Sequence, residues 1–188
     1  MNDFILRIYK KIISKFEILN EVIHKNMNDN IEIRPIQRKD NDIISKIIKS
    51  TLEEFNAAIE GTAYTDQETN AMFEAYTDKN AVYFVALLND EIVAGCGINA
   101  LKNDHSNICE LQKMYMLPKA RGKKIGKKLI LKCLDFAKKS GYESCYIETF
   151  PNMTDAINLY KKNGFHFIDR ALGNTCHYSC DVWMLKPL

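Results

Sequence analysis

No stretch of this 188-residue chain stays apolar for the roughly 20 residues that a membrane-crossing helix requires, because lysines and acids interrupt every run. No membrane span is therefore expected. No secretory signal precedes the six cysteines at positions 96, 109, 133, 145, 176 and 180, which lie in apolar segments and read as reduced thiols of a cytoplasmic core. Metal ligands are scarce as well. Cys176-His177-x-x-Cys180 is half of a zinc pattern, but no second Cys/His pair stands at ligand spacing, and no metal is expected. Nor is there a charge excess: a net +2 predicts neither a nucleic-acid nor a membrane partner. Internal repeats and low-complexity tracts are absent.

What is present is enough apolar material, 46% of residues, for one core and hence one domain. Charge is concentrated: residues 119–139 hold nine basic side chains and one acid, Asp135. Near the N-terminus Ile5, Ile8, Tyr9, Ile12, Phe16, Leu19 and Ile23 recur at helical spacing between lysines. Residues 1–28 are thus expected to form an amphipathic helical extension, packed on the domain or on the second subunit of a homodimer. The domain proper, 29–188, opens with a strand over 31–37 and a helix over 42–55 that turns Ile43, Ile44, Ile47, Ile48 and Leu52 inward. A second helix near 69–76 is followed by a hairpin over 81–101 turning at Asn89-Asp90. Gly95 and Gly97 in its second run signal close backbone approach or a bulge. A strand over 108–118, a helix capped at Gly141, a strand over 144–150 and a helix over 154–165 come next, and 166–172 and 180–186 supply the last strands. The pattern predicts an α/β domain, antiparallel at first, with a strand-helix-strand crossover through 108–150.

The start of that crossover helix is the most informative segment. Unpaired amides already give a helix N-terminus about half a positive charge, so further cations are mildly unfavourable there. Here Arg121, Lys123, Lys124, Lys127 and Lys128 crowd it, while Gly122 and Gly126 keep side chains off the backbone. Such a combination describes an anion site, most naturally for phosphates. A solvated lysine face is the plainer alternative. Two other phosphate motifs fail: five residues after Gly122 stands Lys127 rather than the glycine of a Walker A loop, and no G-x-G-x-x-G occurs.

"MYMLPKARGKKIGKKLI", "YIETF" and "AINLYKKNGF", in that order, resemble the GCN5-related N-acetyltransferase (GNAT) family, with its Val/Met-x-Pro-x-x-Arg-Gly-x-x-Ile-Gly loop and downstream Ala-x-x-Leu-Tyr-x-x-x-Gly-Phe. The resemblance covers about residues 31–188. It implies a mixed, mostly antiparallel central sheet of about seven strands with helices on both faces. It also implies acetyl-CoA as co-substrate, with its pyrophosphate held by Arg121, Gly122, Lys123, Lys124, Ile125, Gly126 and Lys127. The pantetheine arm would run along Met114, Tyr115 and Met116, where two strands splay at a bulge. The implied reaction is transfer to a primary amine of a small molecule or peptide, by direct attack in a ternary complex. Tyr160 matches the position that protonates the departing thiolate, and Glu148 and Glu110 match glutamates that serve as base, with Glu148 slightly preferred.

Two departures stand out. Lys124 occupies a place where the family usually carries glycine, so a lysine must adopt a backbone angle that glycine tolerates. Met153 replaces an asparagine that contacts the cofactor, leaving neighbouring Asn152 as the candidate. Acceptor contacts are expected from residues 54–66 and 172–180, with Tyr64, Thr175 and His177 as candidates; neither loop holds an acidic cluster that would demand a polyamine. Two rival classes remain. Nucleic-acid binding lacks an aromatic or arginine-rich platform, and a non-catalytic acyl-CoA sensor would share the same fold.

Overall fold

The computed structural model describes residues 7, 8, 10–13, 15, 17, 29–103, 107–175 and 177–188. Of the expected N-terminal helix, residues 7, 8, 10–13, 15 and 17 are helical, and the rest lies outside the described residues. Strand β1 (Ile31–Pro35) leads into helix α1 (Asn41–Glu54), whose Ile44, Ile47, Ile48 and Leu52 are buried on one stripe. Ile43 departs from expectation. It sits one helical step outside that stripe and is 36% exposed.

The second helix expected near 69–76 is broken. A 3-10 turn at Gln67–Asn70 is followed by a single helical turn, α2 (Met72–Ala75). Polar side chains of α1 hold the break in place: Ser45 and Lys49 donate to the Asn70 carbonyl oxygen Oδ1 at 3.1 and 2.8 Å, and Asn41 Oδ1 accepts the Phe73 amide at 2.8 Å. Side-chain competition of this kind is what Asn brings to a helical pattern.

Strands β2 (Val82–Leu88) and β3 (Glu91–Ala100) form the hairpin. Asn89 and Asp90 both take left-handed φ, 52° and 65°, in a turn whose twist matches the flanking strands. Strand β4 (Ile108–Met116) adds antiparallel to β3, helix α3 (Ile125–Lys139) crosses over, and β5 (Ser144–Thr149) returns parallel to β4. Helix α4 (Thr154–Lys162), β6 (His166–Phe167) and β7 (Val182–Pro187) complete a seven-stranded sheet in the order β1-β2-β3-β4-β5-β7-β6. β6 is far shorter than the strand expected over 166–172: its ladder with β7 ends at Phe167 opposite Met184, and the Leu172 amide donates to the Tyr146 hydroxyl at 3.2 Å. Helices cover both faces: Ile125, Leu129, Ile130, Cys133 and Ala137 of α3 pack on one, and the α1 stripe with Met72 packs on the other.

A bulge interrupts β4. Gly97 pairs with Gln112 and Gly95 with Tyr115, so one strand advances two residues while the other advances three. Lys113, at the extra position, has φ 47°, and its carbonyl accepts the Tyr83 hydroxyl at 2.8 Å. Side-chain parity reverses there. Cys109 and Leu111 before the bulge, and Met114 and Met116 after it, all belong to the α3 face, whereas Tyr115 and Leu117 join the α1 face. Gly95 and Gly97 leave room for the tyrosine rings beside them; a Cβ on Gly97 would lie 2.6 Å from Tyr76 Cε1, and one on Gly95 would strike Tyr83.

Candidate active site

Parallel pairing of β4 with β5 stops at Glu110 opposite Tyr146, although both strands run on, to Met116 and Thr149. Their facing backbone groups are thereby released, and the sheet opens into a wedge. A cleft of about 560 Å³ occupies it, lined by Met114, Tyr115 and Met116 on one side and by the start of α3 on the other. Helix α3 has neither a side-chain cap nor an acid in its first turn, which leaves its first amides to an incoming anion. Lys124, at the cap, takes φ 62°, so the lysine does adopt the left-handed angle that glycine would tolerate. Gly122 is required for its φ of 76° and not for space, since a Cβ there would meet nothing within 4 Å.

The expected cofactor residues divide. Lys124, Ile125, Gly126 and Lys127 line the cleft, with both lysine side chains exposed. Arg121 also lines it, but its guanidinium is committed to Glu54 through two 2.6 Å hydrogen bonds and lies 5.5 Å from the centre of the Phe55 ring. It ties the end of α1 to the loop. Lys123 is not among the residues that line the cleft, and it pairs with Asp29 at 2.6 Å. Asn152 lines the cleft and donates to the Phe55 carbonyl at 3.0 Å. Free amides, two exposed lysines and an unpaired strand edge fit a diphosphate followed by an extended amide-containing arm.

A second cavity, of about 50 Å³, adjoins the first, and Met114, Tyr115, Met153 and Tyr160 line both. Tyr160, on α4, is only 3% exposed, yet its hydroxyl has no hydrogen-bond partner among the described residues. Burial pushes its pKa up, so it keeps its proton at neutral pH. Glu110, also 3% exposed, accepts one hydrogen bond, from Gln112 Nε2 to Oε2 at 2.6 Å, and Gln112 is itself held by the Tyr76 hydroxyl at 2.9 Å. Its Oε1 has no partner among the described residues. Burial raises the Glu110 pKa above the ordinary carboxyl range, against the opposing effects of Gln112 and His177. Glu148 is satisfied on both oxygens, by the Tyr146 hydroxyl at 2.7 Å and the Thr175 hydroxyl at 2.9 Å. One ligating atom each from Glu110, Glu148 and His177 lie within 4.8 Å of one another.

Asp66 organises the rim. Its Oδ2 meets His177 Nε2 and Lys113 Nζ, each at 3.0 Å, and Glu68 approaches the same lysine at 3.4 Å. Burial alone would raise Asp66, but the His177 hydrogen bond and the Lys113 charge outweigh it and hold the carboxyl at about 2. A folded-state pKa below the unfolded one gives stability that is complete above about pH 4 and lost as pH falls toward 2, on the order of 2 kcal/mol here. Asp66→Asn is therefore expected to flatten the fall in urea midpoint between pH 4 and pH 2.5; parallel curves for the two proteins would remove Asp66 from the acid response.

Among the expected acceptor residues, the structure brings His177 to the cavity and Thr175 to Glu148, but not Tyr64, whose hydroxyl donates to Glu53 at 2.9 Å and which lines neither cavity. Cys176 lies outside the described residues, and His177 is engaged with Asp66. Asp66, Gln112 and Lys113 are site residues that sequence reasoning missed. Only the lysine carried a signal, as a charged residue in an otherwise buried strand.

A sheet opened between two parallel strands, with an uncapped helix at the wedge and a tyrosine at its apex, is the fold of acyl-CoA-dependent acyltransferases. Comparison with known proteins is specific: the Acetyltransferase (GNAT) family matches residues 46–165, and the Uncharacterized N-acetyltransferase YjgM of Escherichia coli K12 is 38% identical over 167 residues, 86% of this chain and 100% of YjgM. A GNAT-family acetyltransferase from Staphylococcus aureus Mu50 has a TM-score of 0.71 at 23% identity, covering 84% of this chain and 99% of that one. YncA from Salmonella typhimurium, solved with acetyl-CoA, gives 0.68 at 19% identity over 84% and 93%. This chain belongs to the GNAT family and is an acetyl-CoA-dependent N-acetyltransferase. No helix among the described residues is long and apolar enough to cross a membrane.

Proposed function

We propose that the chain transfers an acetyl group from acetyl-CoA to a primary amine of a small molecule or peptide, by direct attack in a ternary complex. One observation carries this reading: the cofactor-shaped cleft and the small carboxylate-bearing cavity share Met114, Tyr115, Met153 and Tyr160, so a thioester at the wedge would face an amine in the cavity. Acetyl-CoA supplies the activated acetyl carbon; the rest falls to the protein. Glu110 takes a proton from the incoming ammonium, since its raised pKa and unpartnered oxygen suit a base better than Glu148, which is satisfied twice. The neutral nitrogen then bonds to the acetyl carbon, the C–S bond breaks with its electron pair going to sulfur, and the nitrogen's surplus proton passes to the departing thiolate, leaving the amide and free CoA thiol. Tyr160 donates a hydrogen bond to that sulfur. Holding both reactants in one wedge supplies the orientation that a bimolecular encounter lacks.

Acetyl-CoA at 100 times its Kd is expected to stabilise the protein by about 2.7 kcal/mol, a rise in Tm of about 5–10 °C at this chain length, while an oligonucleotide gives none. Release of free thiol across a panel of primary amines then tests catalysis. A rise in Tm with no thiol from any amine would mark a silent acyl-CoA binder, which has no use for a buried base and a buried phenol left unpartnered in one cavity.

A further inference from the structure

Four carboxylates converge on the acceptor side of the wedge: Lys113, His177 and Lys102 answer Asp66 and Glu68, while Glu110 and Glu148 form no ion pair among the described residues. Glu110 and Glu148 line the cavity itself, while Asp66 and Glu68 stand at its rim and occupy Lys113 from two sides, at 3.0 and 3.4 Å. Among the described residues no arginine lines the cavity, and its lysine and histidine are both engaged with acids. Glu110 adds an independent observation, because it is almost fully buried with one oxygen unpartnered among the described residues and lying in the cavity lining. That oxygen is open to the cavity, and with Glu148 beside it the best-matched donor is one that is also a cation. The space of about 50 Å³ has room for about four water-sized groups, an ammonium head and the first methylenes behind it. Ala63, Phe150 and Met153 offer an apolar wall for methylenes behind the ammonium.

Resting on the acetyltransferase reading, we infer that the acceptor is a slender aliphatic amine, bound as a cation between Glu110 and Glu148, that carries no carboxylate or phosphonate on the carbon beside its nitrogen. An acidic group at that carbon would be pressed against Glu148 and Glu110 with no free cation to meet it, and like charges at this distance repel strongly in a half-buried site. The acids come from separate places in the chain: the 66–68 turn, β4 and β5. Neither acceptor loop alone contains such a cluster, which is why the loops by themselves give no reason to expect a cationic acceptor.

The test uses three amines of matched shape, pentylamine, norleucinamide and norleucine, the last two differing in charge at the neighbouring carbon and compared at a pH where both are mainly ammonium. The expected kcat/KM for thiol release is at least 100-fold higher for norleucinamide than for norleucine, with pentylamine the best of the three. Glu148→Gln should narrow the norleucinamide-to-norleucine ratio to below 10-fold. Equal or better turnover of norleucine or of aminomethylphosphonate would overturn the inference while leaving the acetyltransferase reading intact, as would an unchanged ratio in the Glu148 variant. Activation by Zn²⁺ or Mn²⁺ with loss on EDTA treatment would make Glu110, Glu148 and His177 a metal site and overturn it too. Calorimetric titration of the CoA-loaded protein with norleucinamide and norleucine reads the same charge preference without chemistry. If that preference holds while no amine yields thiol, the acetyltransferase reading fails and the cation site stands.

Discussion

Tyr160→Phe is expected to lower kcat about 100-fold, at the low end of what a positioned proton donor contributes, and to leave the KM for acetyl-CoA nearly unchanged. Burial is the cause. A phenol pushed well above its ordinary pKa is a poor acid but an undissociated one, so it presents a hydrogen at every pH at which the protein is folded. Its oxygen has no partner among the described residues, and that hydrogen is free for the developing thiolate. A hydrogen bond that strengthens as charge appears on sulfur stabilises the transition state more than the bound thioester. Hence kcat falls and KM does not. Phenylalanine fills the same space and keeps the edge contact with Phe165, whose ring centroid lies 5.9 Å away, so the variant should fold normally. An enzyme with undiminished kcat after this change would exclude Tyr160 from the chemistry. No high-pH limb in the wild-type rate profile should trace to Tyr160, because its dissociation lies beyond the working range.

Glu110→Gln carries the second large effect, and it should move activity and stability in opposite directions. Activity is expected to drop about 100- to 1,000-fold as the base is lost. Tm should instead rise, by about 2–4 °C for every kcal/mol gained at this chain length, because a carboxyl whose pKa is raised on folding destabilises the folded protein at neutral pH. Glutamine still offers an oxygen to Gln112, so the Tyr76-Gln112 chain survives the change. The pH profile gives the third readout. A base must be ionised, so the wild-type rate climbs with pH through the raised pKa of Glu110, and the variant loses that limb. Glu148→Gln should lower turnover less and leave the limb in place. A Glu110 variant that is less stable and fully active would assign the residue to packing alone.

Much of this site was legible as residue types at fixed spacing, and the reasons are local. Gly122, Lys124 and Gly126 sit within one turn of a helix start, so their roles follow from backbone angles and unpaired amides that short-range rules describe. The Asn89-Asp90 hairpin and the stripes of α1 and α3 follow from turn chemistry and helical periodicity for the same reason. Most of the losses in the site were contacts with side chains elsewhere in the chain. Arg121 has the residue type and place of a phosphate ligand, but Glu54, 67 positions away, claims it. His177 reads as an isolated loop residue, yet its partner Asp66 is 111 positions distant. Tyr64 occupies a promising loop, but its ring turns back to Glu53 on α1. Local pattern says which side chains a segment offers, and only the folded chain says which of them are already taken.

The reversal at Lys113 sets a rule for how this strand can change. Upstream of it, even-numbered positions face away from α3 and include Glu110; downstream, even-numbered positions are the methionines of the α3 face, Met114 and Met116. Deleting one residue between Glu110 and Met114 would take out the bulge: both sets would keep their faces on a regular strand, but β4 would lose the kink at Lys113, whose carbonyl the Tyr83 hydroxyl holds. Substitutions are therefore open to β4, whereas a change in its length is not. Drift in this lineage has to come by replacement there, with insertions and deletions confined to the loops on either side.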